Sequence, residues 1–211
     1  MKVLLLNGSA HQNGCTYTAL SEVAKTLNEE GIETEIFQVG ADIISGCRGC
    51  GACAKLGKCV IDDKVNDFVN LAENADGFIF GSAVHYASAT GVISSFLDRA
   101  FYSASASGRG DIFKYKPASA VVSARRAGTT ATLDQLNKYF LITQMPIISG
   151  RYWNMVHGRT PDEVRQDFEG MQNMRILARN MAWYLKCIEA GKNAGIPMPK
   201  KEEVVFTNFI R

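Results

Sequence analysis

Val3-Leu4-Leu5-Leu6-Asn7-Gly8-Ser9-Ala10-His11-Gln12-Asn13-Gly14-Cys15-Thr16 stands almost at the start of the chain. Residues 3–7 form a short apolar run that stops at Gly8-Ser9, which is the pattern of a strand buried on both faces. Residues 9–14 are small and polar and read as a loop. A helix over 16–30 follows, with Leu20, Val23, Ala24 and Leu27 on one face and Gly31 as its C-terminal stop. Buried strand, polar loop and amphipathic helix together make the unit of a parallel sheet covered by helices.

The same alternation continues outward. Residues 34–39 read as a second strand. Asp62-Asp63 cap a helix bearing Val65, Phe68, Val69 and Ala72. Residues 77–81 form a third strand, leading through 82–88 to a helix with Val92, Ile93, Phe96 and Leu97. Residues 102–116, rich in serine and glycine, read as a mobile loop. Residues 118–123 are the fourth strand, followed by a helix with Leu133, Leu136 and Phe140, and 145–149 the fifth. Thr160-Pro161-Asp162-Glu163 is a capping-box start for one long helix reaching about residue 190. Cys187 falls in its apolar pattern and reads as a buried, inert thiol. The expectation is an α/β, doubly wound, five-stranded parallel sheet with helices on both faces, in a single domain over 1–190. A cysteine-rich insertion occupies 40–61 and an extension 191–211, where 204–206 is a candidate strand toward a neighbouring subunit.

Composition narrows the function. The chain has 211 residues, 46% hydrophobic and 21% charged, which suits one domain with a full core. A net charge of +2 gives no electrostatic footprint for nucleic acid or an anionic membrane surface. No apolar run has the length of a membrane span, and the first apolar segment is too short for a signal peptide, so the expected location is cytoplasmic.

Four of the six cysteines stand together as Cys47, Cys50, Cys53 and Cys59, spaced C-x2-C-x2-C-x5-C. Four soft thiolates this close suit a cube of iron and inorganic sulfide. Three other readings stay open. Structural zinc prefers two pairs a dozen or more residues apart. A Cys-x-x-Cys redox disulfide is a second, with Arg48 to lower a thiol pKa. The third is a cysteine-rich loop that holds no metal.

In a doubly wound sheet, ligands bind at the carboxyl ends of the strands. The loops after strands one, three and four therefore matter most. The first joins a buried strand to a helix N-terminus, where free N–H groups and the helix dipole favour an anion such as phosphate. Ser9, Asn13 and Thr16 add hydroxyl and amide groups for the same oxygens. The alternative is that these residues only turn the chain and cap the helix. The loop has neither the G-x-G-x-x-G fingerprint nor the Gly-Lys-Ser/Thr ending of a P-loop.

With Gly8-Ser9-Ala10-His11-Gln12-Asn13-Gly14-Cys15-Thr16, the chain resembles the NADPH-dependent FMN reductase branch of the flavodoxin-like proteins. Ala10, His11 and Cys15 replace residues usual there, which leaves Ser9 and Thr16 as the firmest phosphate contacts and makes His11 pH-dependent. Gly81-Ser82-Ala83-Val84-His85-Tyr86-Ala87-Ser88, with Phe96-Leu97-Asp98-Arg99 beyond, is similar to the family's flavin loop. Ser123-Ala124-Arg125-Arg126-Ala127-Gly128 is similar to its third loop. The resemblance implies a flavodoxin-like sheet in the order 2-1-3-4-5 and bound FMN. The implied contacts are Ser9, His11, Asn13, Cys15, Thr16, Ala83, Val84, His85, Tyr86, Ser88, Ser123, Arg125, Arg126 and Gly128. Arg125 or Arg126 would balance charge on reduced flavin. The bland alternatives are a half-exposed His85–Tyr86 pair and solvated arginines. Tyr152 and Trp153 read as wall or subunit contacts, and His157 as structural.

A subgroup, the iron–sulfur flavoproteins, carries a compact cysteine motif after the second strand. That likeness implies a [4Fe–4S] cluster on Cys47, Cys50, Cys53 and Cys59. The implied function is an FMN-dependent oxidoreductase with NAD(P)H or a reduced carrier as donor. A small-molecule oxidant or an electron-carrier protein would be acceptor, and the assembly a homodimer or homotetramer. The alternatives are a cluster-free NAD(P)H-dependent FMN or quinone reductase and a flavodoxin-type carrier. Carriers are usually strongly acidic, and this chain is not.

Overall fold

The computed structural model describes residues 1–208. In chain order they form β1 (Lys2–Asn7), α1 (Cys15–Glu29), β2 (Glu33–Gln38), α2 (Cys53–Leu56), α3 (Lys64–Ala72), β3 (Gly77–His85), β4 (Ser88–Ala89), α4 (Gly91–Ala106), a 3-10 turn (Gly110–Ile112), β5 (Ala118–Ala124), α5 (Thr129–Ile142), β6 (Met155–His157), α6 (Pro161–Gln166) and α7 (Phe168–Asn193). Strands β2-β1-β3-β5-β6 lie side by side and pair in parallel. Counting parallel strands alone, this is the flavodoxin-like order 2-1-3-4-5. The sixth strand, β4, folds back antiparallel on the end of β3.

The pleat of β1 sorts the core. Val3 and Leu5 join Leu20, Val23 and Leu27 of α1 and Met174, Leu177 and Met181 of α7 on one face. Leu4 and Leu6 join Phe68 of α3, Phe96 of α4 and Phe140 of α5 on the other. That second layer is largely aromatic: Phe68 meets Phe96 edge-on at 5.4 Å, and Phe80 stacks on Phe140 at 5.1 Å. Every residue of β1 from Val3 to Asn7 is buried, as its unbroken apolar pattern demands.

Several expectations need correction. The fifth parallel strand is residues 155–157, not 145–149. Pro146 has no N–H to give, and the earlier segment touches β5 only through the bridge between Ala118 and Ile147. The chain then leaves the sheet and rejoins it where Met155 pairs with Val122. Buried Asn173 of α7 holds the excursion. It accepts from the N–H groups of Arg151 and Tyr152 at 2.7 and 3.0 Å and donates to the carbonyls of Tyr152 and Trp153.

The long C-terminal helix is two helices. Thr160 caps α6 by accepting from Glu163 N–H, and Glu163 reaches back to the Arg159 N–H at 2.6 Å. Asp167 then breaks the run. It accepts from the Gly170 N–H at 2.9 Å to cap α7 and from the His157 N–H at 2.7 Å. Residues 102–116 are not a loop throughout, because α4 continues to Ala106. Cys187 is exposed, since the buried stripe of α7 passes through Met181 and Leu185 and leaves it on the outer face. Residues 204–206 lie exposed and form no strand. No helix among the described residues is long and apolar enough to cross a membrane.

Candidate functional site

The loops after β1, β3 and β5 meet at one end of the sheet. Gly8 donates its N–H to the Gly81 carbonyl at 2.9 Å, joining the first loop to the second. The hydroxyls of Thr16 and Ser123, both buried, lie 2.8 Å apart and join the first to the third. Gly128 (φ +100°) joins the third to the second: a Cβ there would stand 2.6 Å from Ala87 Cα. Beneath the first loop, Asn7 donates to Gln38 and accepts from the Ser9 N–H at 3.2 Å, while Gln38 donates to the Ser9 carbonyl at 2.8 Å. This polar underpinning fixes the loop from two strands.

Two helices begin here without a side-chain cap. α1 starts after Gly14 and α5 after Gly128, and neither receives a capping hydrogen bond, whereas α3, α4, α6 and α7 all do. Their first N–H groups thus have no intrahelical partner and face the strand ends, where they suit an anion. No acidic residue stands in the first turn of either. A cleft of about 590 Å³ opens beside the first loop, lined by Ser9, His11, Ile44, Ala83, His85 and Val92 among others. That volume is in the range of small-molecule sites. The uncapped amides, the converging loops and the cleft fit a phosphate-bearing flavin.

The expected contacts divide. Ser9, Thr16 and Ser123 are buried at the convergence. Ser9 accepts from the His11 N–H at 3.1 Å; His11 lines the cleft and is exposed, and Asn13 is exposed further along the loop. Ala83 and His85 line the cleft. Val84 packs on the aromatic core layer. Tyr86 and Ala87 form a two-residue turn between β3 and β4 with φ of +50° and +58°, which leaves Tyr86 fully exposed. Such left-handed backbone in residues other than glycine costs on the order of 1 kcal/mol or more each and concentrates at functional sites. Arg125 and Arg126 are exposed beside Gly128. Two side chains turn elsewhere: Cys15 Sγ lies 3.7 Å from the Gly158 carbonyl, and Ser88 donates to Gln135 at 2.6 Å. Burial pushes the Cys15 thiol pKa up.

All four clustered cysteines line one cavity, with Arg99, Tyr102 and Ser103 of α4 on its far wall. None is in a disulfide. Cys53 is buried at the start of α2, Cys59 half-buried, and Cys47 and Cys50 are exposed on the rim. Among the described residues no group of three or more His, Cys, Asp or Glu converges to hold a metal ion. Thiols spread round a cavity suit a cube of irons, whose corners stand apart, better than one tetrahedral ion. The cavity is small, about 20 Å³, with Cys47 and Cys50 on its exposed rim.

Sequence reasoning read Asp63 only as a helix cap, which it is, and Arg99 only as part of a family motif, and connected neither of them, nor Asn66, with the cysteines. Arg99 is 1% exposed and sits within the apolar face of α4. Its guanidinium pairs with Asp63 at 2.6 and 2.9 Å and reaches Cys59 Sγ from Nε and Nη2, both at 3.4 Å. Burial works against the Arg99 cation, but the hydrogen bonds and charges of Asp63 and Cys59 outweigh it and raise its pKa. The available signal was an arginine among Phe96, Leu97, Ala100 and Phe101, an expensive place for a cation without a partner.

The NADPH-dependent FMN reductase family matches residues 1–160 of the chain. An iron–sulfur flavoprotein of Methanocaldococcus jannaschii is 29% identical over 200 residues, covering 90% of this chain and 100% of that protein. Among solved structures, RosB with a bound 8-demethyl-8-formylriboflavin-5′-phosphate intermediate superposes with a TM-score of 0.71 at 14% identity, over 100% of this chain and 92% of that one. A flavodoxin from the domain Archaea gives 0.59 at 12% identity, over 88% and 99%. The two structural likenesses establish the fold.

Proposed function

The chain belongs to the NADPH-dependent FMN reductase family and is an FMN-dependent oxidoreductase, and on that footing we propose that it passes electrons between NAD(P)H or a reduced carrier, FMN and a [4Fe–4S] cluster. The observation that carries this reading is the double use of α4. Gly91, Val92 and Ser95 line the cleft, while Arg99, Tyr102 and Ser103 line the cysteine cavity. Ser95 and Arg99 are about one helical turn apart, roughly 6 Å along the axis. The segment after β2 makes the same connection, with Ile44 on the cleft and Cys47 on the cavity. The cleft and the cysteine cavity are therefore neighbours within one chain, which supports the reading of a two-electron flavin beside a one-electron cluster.

FMN supplies hydride acceptance and single-electron release. The uncapped start of α1, with Ser9 and Thr16, would hold its phosphate. Ala83 and His85 border the ring, and Arg125 and Arg126 supply positive charge at the third loop. Cys47, Cys50, Cys53 and Cys59 would hold the cluster, a reading also supported by the iron–sulfur flavoprotein of M. jannaschii. The exposed aromatic pair Tyr152–Trp153, in edge contact at 4.5 Å, supports assembly of copies into a homodimer or homotetramer. The acceptor is a small oxidant or an electron-carrier protein.

Purification without oxygen, followed by an absorption spectrum and iron and acid-labile sulfide assays, tests this. The expected result is flavin together with iron and sulfide. Cys53→Ser should lose most of the iron and keep the flavin. Flavin bands alone in the reconstituted wild type would leave the cluster-free reductase as the correct reading.

A further inference from the structure

The cysteine cavity contains a buried cation beyond its four thiols. The Arg99 guanidinium works along two edges. One, Nη1 and Nη2, grips the Asp63 carboxylate, and the other, Nε and Nη2, faces Cys59 Sγ. The Ser45 carbonyl accepts the remaining Nη1–H at 3.4 Å, and the Ile61 carbonyl, 2.9 Å from Nη2, shares an Nη2–H with the other two acceptors. All five N–H groups of the planar fork are thereby accounted for.

Arg99 is not what places the backbone of Cys59. Asn66 does that, accepting from the Cys59 N–H and donating to its carbonyl, each at 3.0 Å. The contact from Arg99 is with the sulfur. Among the described residues, Cys59 alone of the four thiols receives side-chain hydrogen bonds. Reduction of a cluster adds one electron and no proton, so one negative charge accumulates on iron and sulfur. Donors on a ligand sulfur and nearby positive charge favour that reduced form, and nearby negative charge opposes it.

We propose that Arg99 is a positioning residue that raises the reduction potential of the cluster through Cys59, with Asp63 holding the guanidinium in place and partly offsetting its charge. The inference rests on the iron–sulfur reading above. It requires opposite effects from two neighbours. Arg99→Gln removes the cation and leaves the carboxylate, so the potential falls. Asp63→Asn removes the carboxylate and leaves the cation, so the potential rises. Asparagine still accepts from the Val65 N–H, as Asp63 does at 3.1 Å, so α3 stays capped.

The experiment is an equilibrium redox titration of the reconstituted holoprotein, followed by electron paramagnetic resonance, with iron and sulfide counted in every sample. Each variant should change the equilibrium constant for accepting an electron by on the order of tenfold, about 59 mV for a one-electron couple, in opposite directions. Should Arg99→Gln hold no cluster, Asp63→Asn decides alone: a rise supports the proposal, and no rise overturns it. Shifts of the same sign in both variants also overturn it. A wild type that binds no iron or sulfide overturns the iron–sulfur reading and this inference with it. A normal cluster with unmoved potentials overturns the inference alone.

Discussion

Arg99→Met is expected to destabilise the fold by about 3 kcal/mol, the lower end for removing one member of a buried ion pair. The low end applies because the Asp63 side chain keeps 22% of its exposure. Methionine fills much of the same volume, so little of the loss comes from a cavity. The loss comes from the groups left behind: the Asp63 carboxylate, two carbonyls and the Cys59 thiol. For a chain of this size the melting temperature should fall by roughly 6–12 °C. The double variant Arg99→Met/Asp63→Asn should be less costly than the sum of its parts, because no unpaired charge remains. Denaturant unfolding of the cluster-free protein measures both. A strictly additive double variant would show that the pair does not act as a unit.

Gly128→Ala is the second large effect. The residue sits at φ +100°, and an added Cβ would meet Ala87 Cα at 2.6 Å and Val84 Cγ1 at 2.8 Å. Backbone atoms of the second loop cannot rotate aside as a side-chain tip does, so the loops must separate. Strain and crowding together should cost about 3 kcal/mol. FMN affinity should fall as well, since the second and third loops lose their mutual register. Gly108→Ala separates the two causes. Gly108 has φ +79° but open space around its missing Cβ, so it incurs only the conformational part, about 1 kcal/mol. Thermal melts and FMN titration of both variants give the comparison. Equal effects at Gly128 and Gly108 would remove crowding from the explanation.

Much of the fold was legible because parallel strands buried on both faces leave a dense apolar record. Leu4-Leu5-Leu6 and Phe78-Ile79-Phe80 announce themselves without long-range information. The fifth strand was misplaced for the converse reason. Met145-Pro146-Ile147-Ile148 is the more apolar segment, but pairing of residues 155–157 depends on Asn173, some 20 residues further along, which organises the intervening turn. No local pattern reports such a contact. The break at Asp167 was hidden similarly, because one carboxylate serves both the α7 cap and the His157 N–H, a partner from β6.

The convergence of the three loops was readable because strand ends meeting helix starts obey a topological rule. What the sequence could not convey was which side chains turn inward. Ser88 bonds to Gln135 and Cys15 toward Gly158, contacts set by α5 and by the turn before α6. Nor could it place the cysteine segment against α4, which depends on Arg99 joining Ser45, Cys59, Ile61 and Asp63 in space.

A flavin anchored by its phosphate at the loop after β1 should distinguish FMN from riboflavin. Titration of the flavin-free protein with FMN and with riboflavin, side by side, tests it most directly. The two ligands share a ring and differ in the phosphate. At least two net hydrogen bonds to a charged phosphate, each worth about 1.5–3 kcal/mol, should make FMN bind about a hundredfold tighter or more. Equal affinity for the two would exclude a phosphate anchor at that loop, and no binding of either would exclude the flavin site.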